Sequence, residues 1–270
     1  MVGNVGRGSL VNSVLQGLQH TSQKTNQTNE RLGTGLRMQD SLDGAQDFFV
    51  AQGLSSRATD LIEARDQVDQ AISTIQLAEV GLDSINQLSH QARAIAIAAQ
   101  NASDPAEQAR LADQFNHIRV QIDSIASDAS FGGTNLIGAL PDNLTVSLNE
   151  DGGTLTVKGT DSSSVGLGIS SRTFGSDADI EAALADIDNA QSQVRSNSVS
   201  LSSSTSTLQN RIDFTDNLTN TLEQGAANLT QADLNEEAAS LLSLQTRQAL
   251  GSNALTIATE SERAVLGLFG

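Results

Sequence analysis

The sequence predicts a mainly α-helical protein, an elongated antiparallel helical bundle or coiled coil whose N- and C-terminal helices pair and which includes a small central β-hairpin region. Apolar residues recur at alternating steps of three and four over long stretches, as in helices that pack side by side. The 270 residues include no Trp or Tyr and seven Phe, which favours a narrow bundle over a thick globular interior. Between the helical stretches, one short region alternates with period two, the pattern of a half-buried strand.

The first helical stretch carries a stripe of side chains placed to meet a partner helix, and the last stretch carries a matching stripe. We call the two stripes together the terminal seam. The N-terminal stripe consists of Val11, Val14, Leu18, Thr21, Thr25, Thr28 and Leu32, and the C-terminal stripe of Leu241, Leu244, Gln248, Gly251, Leu255, Ala258, Val265 and Phe269, with Glu262 out of type. Residues 1–37 hold four basic residues and one acidic residue, a net +3, while residues 231–270 hold two basic and five acidic, a net −3. We therefore predict that the ends pair with each other or with other copies of the chain.

The terminal seam is weak, because Thr, Gln and Gly occupy several of its core positions. Each of these forfeits most of the ~1.5–3 kcal/mol that a buried Leu or Ile contributes. Ordering the backbone costs about 1–2 kcal/mol per residue. We therefore expect the two ends to be mobile in a free monomer and to become ordered when many copies pack together.

A second helical block is predicted from near Leu54 to about Gln100, and a third follows a break at residues 101–104. The second block keeps the heptad spacing at Leu61, Ala64, Val68, Ala71, Ile75, Ala78, Leu82 and Ile85. Asp104 suits the N-cap of the third helix, Pro105 its first turn, and Glu107 a capping-box partner. The third helix carries Leu111, Phe115, Ile118, Ile122 and Ile125, and we expect it to fold back antiparallel on the second.

The pattern changes to strands near Phe131. Residues 144–148 and 154–158 alternate with period two around a turn, and a third strand is predicted near residues 165–169. Helix resumes near Ser176 or Asp179. Its long apolar face consists of Ile180, Leu184, Ile187, Val194, Leu201, Leu208, Ile212, Leu218 and Leu222.

The composition excludes several functions. The chain has no Cys, and therefore no disulfide, thiolate metal site or cysteine nucleophile. Its formal net charge of −17 argues against nucleic-acid binding, and no apolar run approaches the roughly 20 residues of a membrane-spanning helix. The first residues lack the features of a cleaved secretory signal, which favours the cytoplasm or an export route without one.

No motif favours an enzyme, and we predict no catalytic, cofactor or metal site. His90 and His117 have no carboxylate pair to complete a ligand set, so a structural role is favoured over metal binding. The acidic residues Asp177, Asp179, Glu181, Asp186 and Asp188 surround a helix start, which favours a solvated, capped face over catalytic carboxylates. Nine of the twelve residues 196–207 are Ser or Thr; a packing face and an O-glycan acceptor patch both remain open, and packing is favoured.

Three motifs resemble those of the bacterial flagellins. The run that contains Glu30, Arg31, Leu32, Gly35, Leu36 and Arg37 closely resembles the family's N-terminal signature. Phe131-Gly-Gly-Thr-Asn-Leu looks like its F-N-G-x-x-L turn, with Gly132 in place of Asn. The last thirty residues are similar to its C-terminal helix, which ends in V-L-x-L-F.

The resemblance implies a structural subunit that polymerises into the flagellar filament for motility and is exported through the flagellar type III channel to the extracellular flagellum. It implies inner-core helices at residues 1–40 and 233–270, outer-core helices at 41–140 and 176–232, and a small hairpin insert at 141–175. The implied partners are other copies, the flagellar cap, hook-associated proteins and an export chaperone. A hook–filament junction protein and an amphipathic helical protein that binds a membrane or partner helices remain as alternatives.

Some flagellins carry a patch recognised by the innate immune Toll-like receptor five, and the corresponding run here is degenerate. Arg93 and Ile95 match that patch in type, but Gln91 replaces an Arg and Ala94 a Glu. Losing an Arg removes a charge-assisted contact that can be bidentate. We therefore predict weak or absent activation of the receptor.

Overall fold

The computed structural model describes residues 5–149 and 152–266, and this part of the chain is mainly α-helical. Its helices are α1 (Val5–Thr34), α2 (Ala45–Asn101), α3 (Pro105–Asp128), α4 (Asp177–Thr230) and α5 (Leu234–Leu266). Its strands are β1 (Ser130–Phe131), β2 (Thr134–Asn135), β3 (Leu144–Ser147) and β4 (Thr154–Val157). The predicted class, mainly α-helical with a small β region and paired end helices, is confirmed.

The chain divides into two compact units. The terminal unit comprises Met1–Ser56 and Thr221–Gly270, and the central unit comprises Arg57–Asn220. The terminal unit contains α1, α5 and the adjoining parts of α2 and α4. The central unit contains the remainder of those two helices together with α3 and all four strands.

The core of the central unit lies between α2, α3 and α4. The predicted α2 stripe is buried at each of its eight positions, because the heptad spacing keeps these side chains on the side that faces the other helices. Ion pairs Arg65–Asp216 and Arg93–Asp188 show that α2 and α4 run antiparallel, since the partner's number falls as the first number rises. Phe115 of α3 is fully buried beside Phe174, with 5.3 Å between the ring centroids.

The start of α3 forms largely as its sequence predicts. The Asp104 carboxylate accepts a hydrogen bond from the Ala106 N–H at 3.0 Å, and Pro105 occupies the first turn. The predicted capping-box role of Glu107 is wrong, because its carboxylate binds Arg110 one turn further along the helix. The charged guanidinium of Arg110 is a stronger hydrogen-bond donor than the backbone N–H of Asp104, which Glu107 would bind in a capping box.

The predicted hairpin is confirmed. Strand β3 pairs antiparallel with β4, with Leu144 opposite Val157 and Ser147 opposite Thr154. The Asn149 side chain closes the turn by accepting a hydrogen bond from the Gly153 N–H at 2.6 Å. The sequence did not predict the shorter β1–β2 pair, whose turn uses Gly132 and Gly133 at φ of 57° and 87°.

The third strand predicted near residues 165–169 is wrong, because these residues form a turn. The Asp123 carboxylate of α3 accepts hydrogen bonds from the N–H and Oγ of Ser164, and the turn closes through a bond from Ile169 N to the Ser164 carbonyl. Leu167 and Ile169 are both buried. The alternation of Leu167 and Ile169 therefore reflects a turn that buries both side chains in the core of the central unit.

The first residues of two helices can be compared with the predicted ones. Helix α4 begins at Asp177, within the predicted range, and the Ser176 Oγ accepts a hydrogen bond from the Asp179 N–H. Helix α2 begins at Ala45, nine residues before the predicted Leu54. The prediction missed this first part because Phe48, Phe49 and Val50 are adjacent and hide the helical period.

The serine- and threonine-rich stretch of α4 is mostly exposed. Six of its nine hydroxyl side chains face solvent, namely Ser196, Ser200, Ser202, Ser203, Ser206 and Thr207. Several donate to a carbonyl one turn earlier in the same helix, as Ser206 does to Ser202 and Thr207 to Ser203. The favoured packing role is therefore wrong for most of this stretch within a single chain.

Candidate assembly surface at the paired chain ends

Helices α1 and α5 pack antiparallel against each other in the terminal unit. Arg31 near the end of α1 pairs with Glu237 in the first turn of α5, and Leu18 near the middle of α1 lies against Gly251. The terminal seam thus brings the two predicted stripes together within one chain.

Most seam residues lie at the interface between α1 and α5. Thr28 and Leu244 are buried, with 6% and 8% exposure. The half-buried members are Val11, Val14, Leu18, Thr21, Thr25, Leu32, Leu241, Gly251, Leu255 and Ala258. Gln248 is exposed and interrupts the C-terminal stripe. Phe269 lies outside the described residues, as does the side chain of Val265.

Gly251 forms a hole that Leu18 fills. A Cβ atom added at Gly251 would lie 2.8 Å from Leu18 Cδ2 and 3.2 Å from its Cγ. A side chain at position 251 would therefore displace the leucine. The glycine that forfeits apolar burial in the seam therefore provides the space that Leu18 occupies.

The seam threonines add little attraction between the helices. The hydroxyls of Thr21 and Thr25 donate to the carbonyls of Gly17 and Thr21, each at 2.8 Å, within α1 itself. They are satisfied without a partner on α5, so they neither stabilise the pair nor specify its alignment. Contact between the end helices depends on the few apolar members and on the Arg31–Glu237 ion pair, whose N–O distance is 3.1 Å.

Helix α5 has a second apolar stripe on the face away from α1. Leu242, Leu250 and Ile257 are 67%, 63% and 68% exposed. Their spacings of eight and seven residues place them on one side of the helix, roughly opposite the seam at 100° per residue. Several exposed large apolar residues in a row indicate an interaction surface, whereas a single one does not. We call these three residues the outer stripe.

The signature residues form a second set of contacts at the end of the α1–α5 pair where α1 ends and α5 begins. Gly35 ends α1 at φ 71°, and its carbonyl accepts a hydrogen bond from Ala232 N at 3.0 Å. Arg37 N donates to the Thr230 carbonyl at 2.7 Å, and its guanidinium donates to the Leu229 carbonyl at 3.1 Å. Leu36 pairs with Gln231 as an isolated β-bridge, while Glu30 is exposed. Sequence reasoning singled out residues 30–37 and missed their partners, which lie at the end of α4 and in the segment that joins α4 to α5.

A cluster of one arginine and two carboxylates in the central unit has a structural role. Arg172 donates to Asp179 at 3.1 Å and to Asp186 at 2.6 Å. The hydrogen bond that Arg172 donates to Asp186 raises the pKa of Arg172 above its usual value; burial opposes this shift, and Asp179 adds to it. Burial raises the pKa of Asp179, but hydrogen bonds from Arg172, Thr173 N and Phe174 N together lower it below its usual value.

These contacts correct in part the prediction of a solvated, capped acidic face. Asp177, Glu181 and Asp188 are exposed, as predicted, whereas Asp179 and Asp186 are half-buried and hold the loop that precedes α4. Asp179, Asp186 and Asp188 each accept a hydrogen bond from an Arg side chain, and Asp179 and Asp186 also accept from backbone N–H groups of the loop, which is the chemistry of an anchored loop.

The degenerate receptor patch lies on α2. Gln91 and Arg93 are exposed, and Arg93 Nε lies 3.1 Å from an Asp188 carboxylate oxygen. Ile95 is half-buried and packs against the core of the central unit. Gln91 is exposed but carries no charge.

Nowhere in residues 5–149 and 152–266 do three or more His, Cys, Asp or Glu side chains group as metal ligands. His90 Nδ1 lies 3.3 Å from Gln191 Nε2, and His117 is exposed. Within the same residues, no helix is both long and apolar enough to cross a membrane.

Comparisons with known proteins point to one family. The family profile for the bacterial flagellin N-terminal helical region matches residues 9–139. Flagellins FljK and FljN of Caulobacter vibrioides are 31% and 32% identical over 268 residues, which is 98% of this chain and 97% of each relative. A flagellin of Brucella melitensis is 27% identical over 270 residues, covering 95% of both chains. The crystal structure of a Bacillus cereus flagellin shares the fold, with a TM-score of 0.51 at 19% identity over 55% of this chain and 88% of that one.

Proposed function

Because this chain belongs to the bacterial flagellins, a family of structural proteins, we propose that copies of it join through the surfaces of its two end helices. The chain is a structural subunit of the extracellular flagellar filament, since its relatives at 31% identity or more span nearly its whole length. No finding favours the hook–filament junction protein or the membrane-binding protein.

The outer stripe carries this proposal. Helix α5 uses one face to pack on α1 and leaves Leu242, Leu250 and Ile257 exposed on the other. Burying such a side chain fully contributes about 1.5–3 kcal/mol. Contact with end helices of other copies therefore supplies stabilisation that the polar seam lacks within one chain.

The proposed arrangement in the filament follows from these surfaces. Residues 1–40 and 233–270 form the inner core around the channel. Residues 41–140 and 176–232 form the outer core, and residues 141–175 form a small insert at its surface. The paired end helices and the separate apolar core of the central unit support this division.

The weakness of the terminal seam suits a chain that travels through a narrow channel before it assembles. We propose export through the flagellar type III channel in an unfolded form, which the lack of Cys favours because no disulfide can form in transit. The proposed partners besides other copies are the flagellar cap, hook-associated proteins and an export chaperone that covers α5. An exposed apolar stripe on α5 is a surface such a chaperone would need to shield.

Seeded assembly tests the proposal. Purified chain is added to short filament fragments, and elongation is followed by electron microscopy and light scattering. The unmodified chain should elongate the fragments. Leu250→Asp should slow elongation at least tenfold with unchanged far-UV circular dichroism, because it places a charge on the outer stripe.

Ser252→Asp is the matched control. It adds the same charge to an exposed position of α5 that lies on a flank away from the outer stripe. It should elongate at a rate close to that of the unmodified chain. Equal rates for the two variants, or no elongation by the unmodified chain, would contradict the proposal.

A further inference from the structure

Within the terminal seam, one contact distinguishes the observed alignment of α1 with α5, namely Leu18 in the space left by Gly251. The seam repeats every seven residues, so sliding one helix by a heptad places Leu18 opposite Leu244 or Ala258 instead of Gly251. Either alternative still brings apolar side chains together, although it gives up the space that Gly251 provides for Leu18. The threonines bond within α1 and therefore discriminate little between these alignments.

The covalent connections do not fix the alignment of α1 either. Ten residues, 35–44, join the end of α1 at Thr34 to the start of α2 at Ala45. An extended segment of ten residues can span roughly 33 Å. Sliding by one heptad moves a helix by about 10.5 Å. The connection therefore has enough length to permit the slip.

We propose that a register clasp, consisting of Arg31, Gly35, Leu36 and Arg37 with their partners Leu229–Ala232 and Glu237, sets the alignment of the two end helices. This inference rests on the proposed role of those helices in assembly. The bonds from Arg37 N to the Thr230 carbonyl and from Ala232 N to the Gly35 carbonyl join the two chain segments in both directions. Such paired, directional bonds form in only one alignment.

The two arginines extend the clasp on either side of the bridge. Arg31 reaches Glu237 in the first turn of α5, and this pair is mostly shielded, with side-chain exposures of 27% and 14%. Arg37 reaches the Leu229 carbonyl in the last turn of α4. A slip of one heptad would break both contacts and the bridge together. The clasp therefore adds several alignment-specific bonds to the single seam contact between Leu18 and Gly251.

Disulfide cross-linking measures the alignment directly, because the natural chain has no Cys. Leu18→Cys combined with Gly251→Cys reports the observed alignment, since Leu18 Cγ lies 3.2 Å from the Cβ position of residue 251. Leu18→Cys combined with Leu244→Cys or with Ala258→Cys reports slips of one heptad. Intramolecular disulfides are quantified by mass spectrometry after mild oxidation of the soluble chain and of seeded filaments.

Two clasp variants are compared in each cysteine background. Arg31→Ala with Arg37→Ala removes both guanidinium contacts. Gly35→Val changes no charge but opposes the positive φ that positions its carbonyl. The charge control is Lys24→Ala with Arg247→Ala, two cations of α1 and α5 outside the clasp. The backbone control is Gly33→Val, which is helical and has open space around its Cβ position.

Both clasp variants should lower the ratio of aligned to slipped disulfides at least fivefold, while the controls leave it within twofold. An unchanged ratio, or the loss of every disulfide in the clasp variants, would overturn the proposal, because the clasp would then be either dispensable or merely a source of stability. The unmodified chain's ability to elongate filament fragments is scored separately. Its failure would contradict the proposed function, while the ratio in the soluble chain would still decide the clasp.

Discussion

Replacing Thr28 by Val should strengthen the terminal seam without changing its shape. Thr28 is the most buried polar residue of the seam, at 6% exposure, and Val has the same branched outline. Exchanging a hydroxyl for a methyl group at a buried position removes a desolvation cost of about 1–3 kcal/mol and adds up to ~0.8 kcal/mol of apolar burial. Allowing for partial solvation of the hydroxyl, we expect the α1–α5 pair to gain about 1–2 kcal/mol.

The critical concentration for seeded elongation shows whether this gain stabilises only the subunit in the filament or also the free subunit. If the ends order only as a subunit joins the filament, the whole gain enters the free energy of addition, and the critical concentration falls about five- to thirtyfold. If the ends are already paired in the free subunit, the gain is common to both states and the critical concentration is unchanged. Thr246→Val, at an exposed position of α5, is the control and should change the free energy of subunit addition by less than about 0.5 kcal/mol. An unchanged critical concentration for Thr28→Val would refute the coupling of end pairing to assembly.

Three further predictions concern the central unit. Phe115→Ala should lower the free energy of unfolding by about 3–5 kcal/mol in urea titrations because it empties a fully buried position, whereas the half-exposed Phe214→Ala should cost less than about 1 kcal/mol; equal losses would contradict the assigned core. The pKa of Asp179 is lower in the folded chain than in the unfolded chain, so its carboxylate stabilises the fold at neutral pH and this contribution is lost as the pH falls below about 4. Asp179→Asn should therefore destabilise the chain in urea at pH 7 and much less at pH 2, and an equal effect at both would be inconsistent with the ion pair. Since Gln91 is uncharged and Arg93 is held in an ion pair, reporter cells for Toll-like receptor five should respond weakly or not at all to nanomolar protein, and a strong response would refute that prediction.

The helices, the hairpin and the seam were predictable because local sequence decides them. The heptad stripe from Leu61 to Ile85 is buried throughout, since spacing alone places these residues on one side of α2. The Asp104 cap and the Asn149 turn depend on bonds to residues a few positions away. The seam also follows from spacing, although Gln248 shows that a position of the right phase can still face solvent.

The remaining features depend on partners that are distant in sequence. Residues 163–168 form a turn because Asp123, about forty positions earlier, captures Ser164, and no local pattern signals that bond. The bridge between Leu36 and Gln231 joins segments from opposite ends of the chain. The signature residues could be recognised from their order, but their contacts could not, because Leu229–Ala232 supply backbone groups that any sequence would offer.

The central claim is that the end helices pair weakly and become fully ordered only in the filament. Amide hydrogen exchange, compared between dilute subunits and seeded filaments, measures this directly. We predict that protection of residues 11–34 and 234–261 rises by at least two orders of magnitude on assembly, while the buried part of α2 from Leu61 to Ile85 is protected in both states. Strong protection of both end helices in the dilute subunit would contradict the claim.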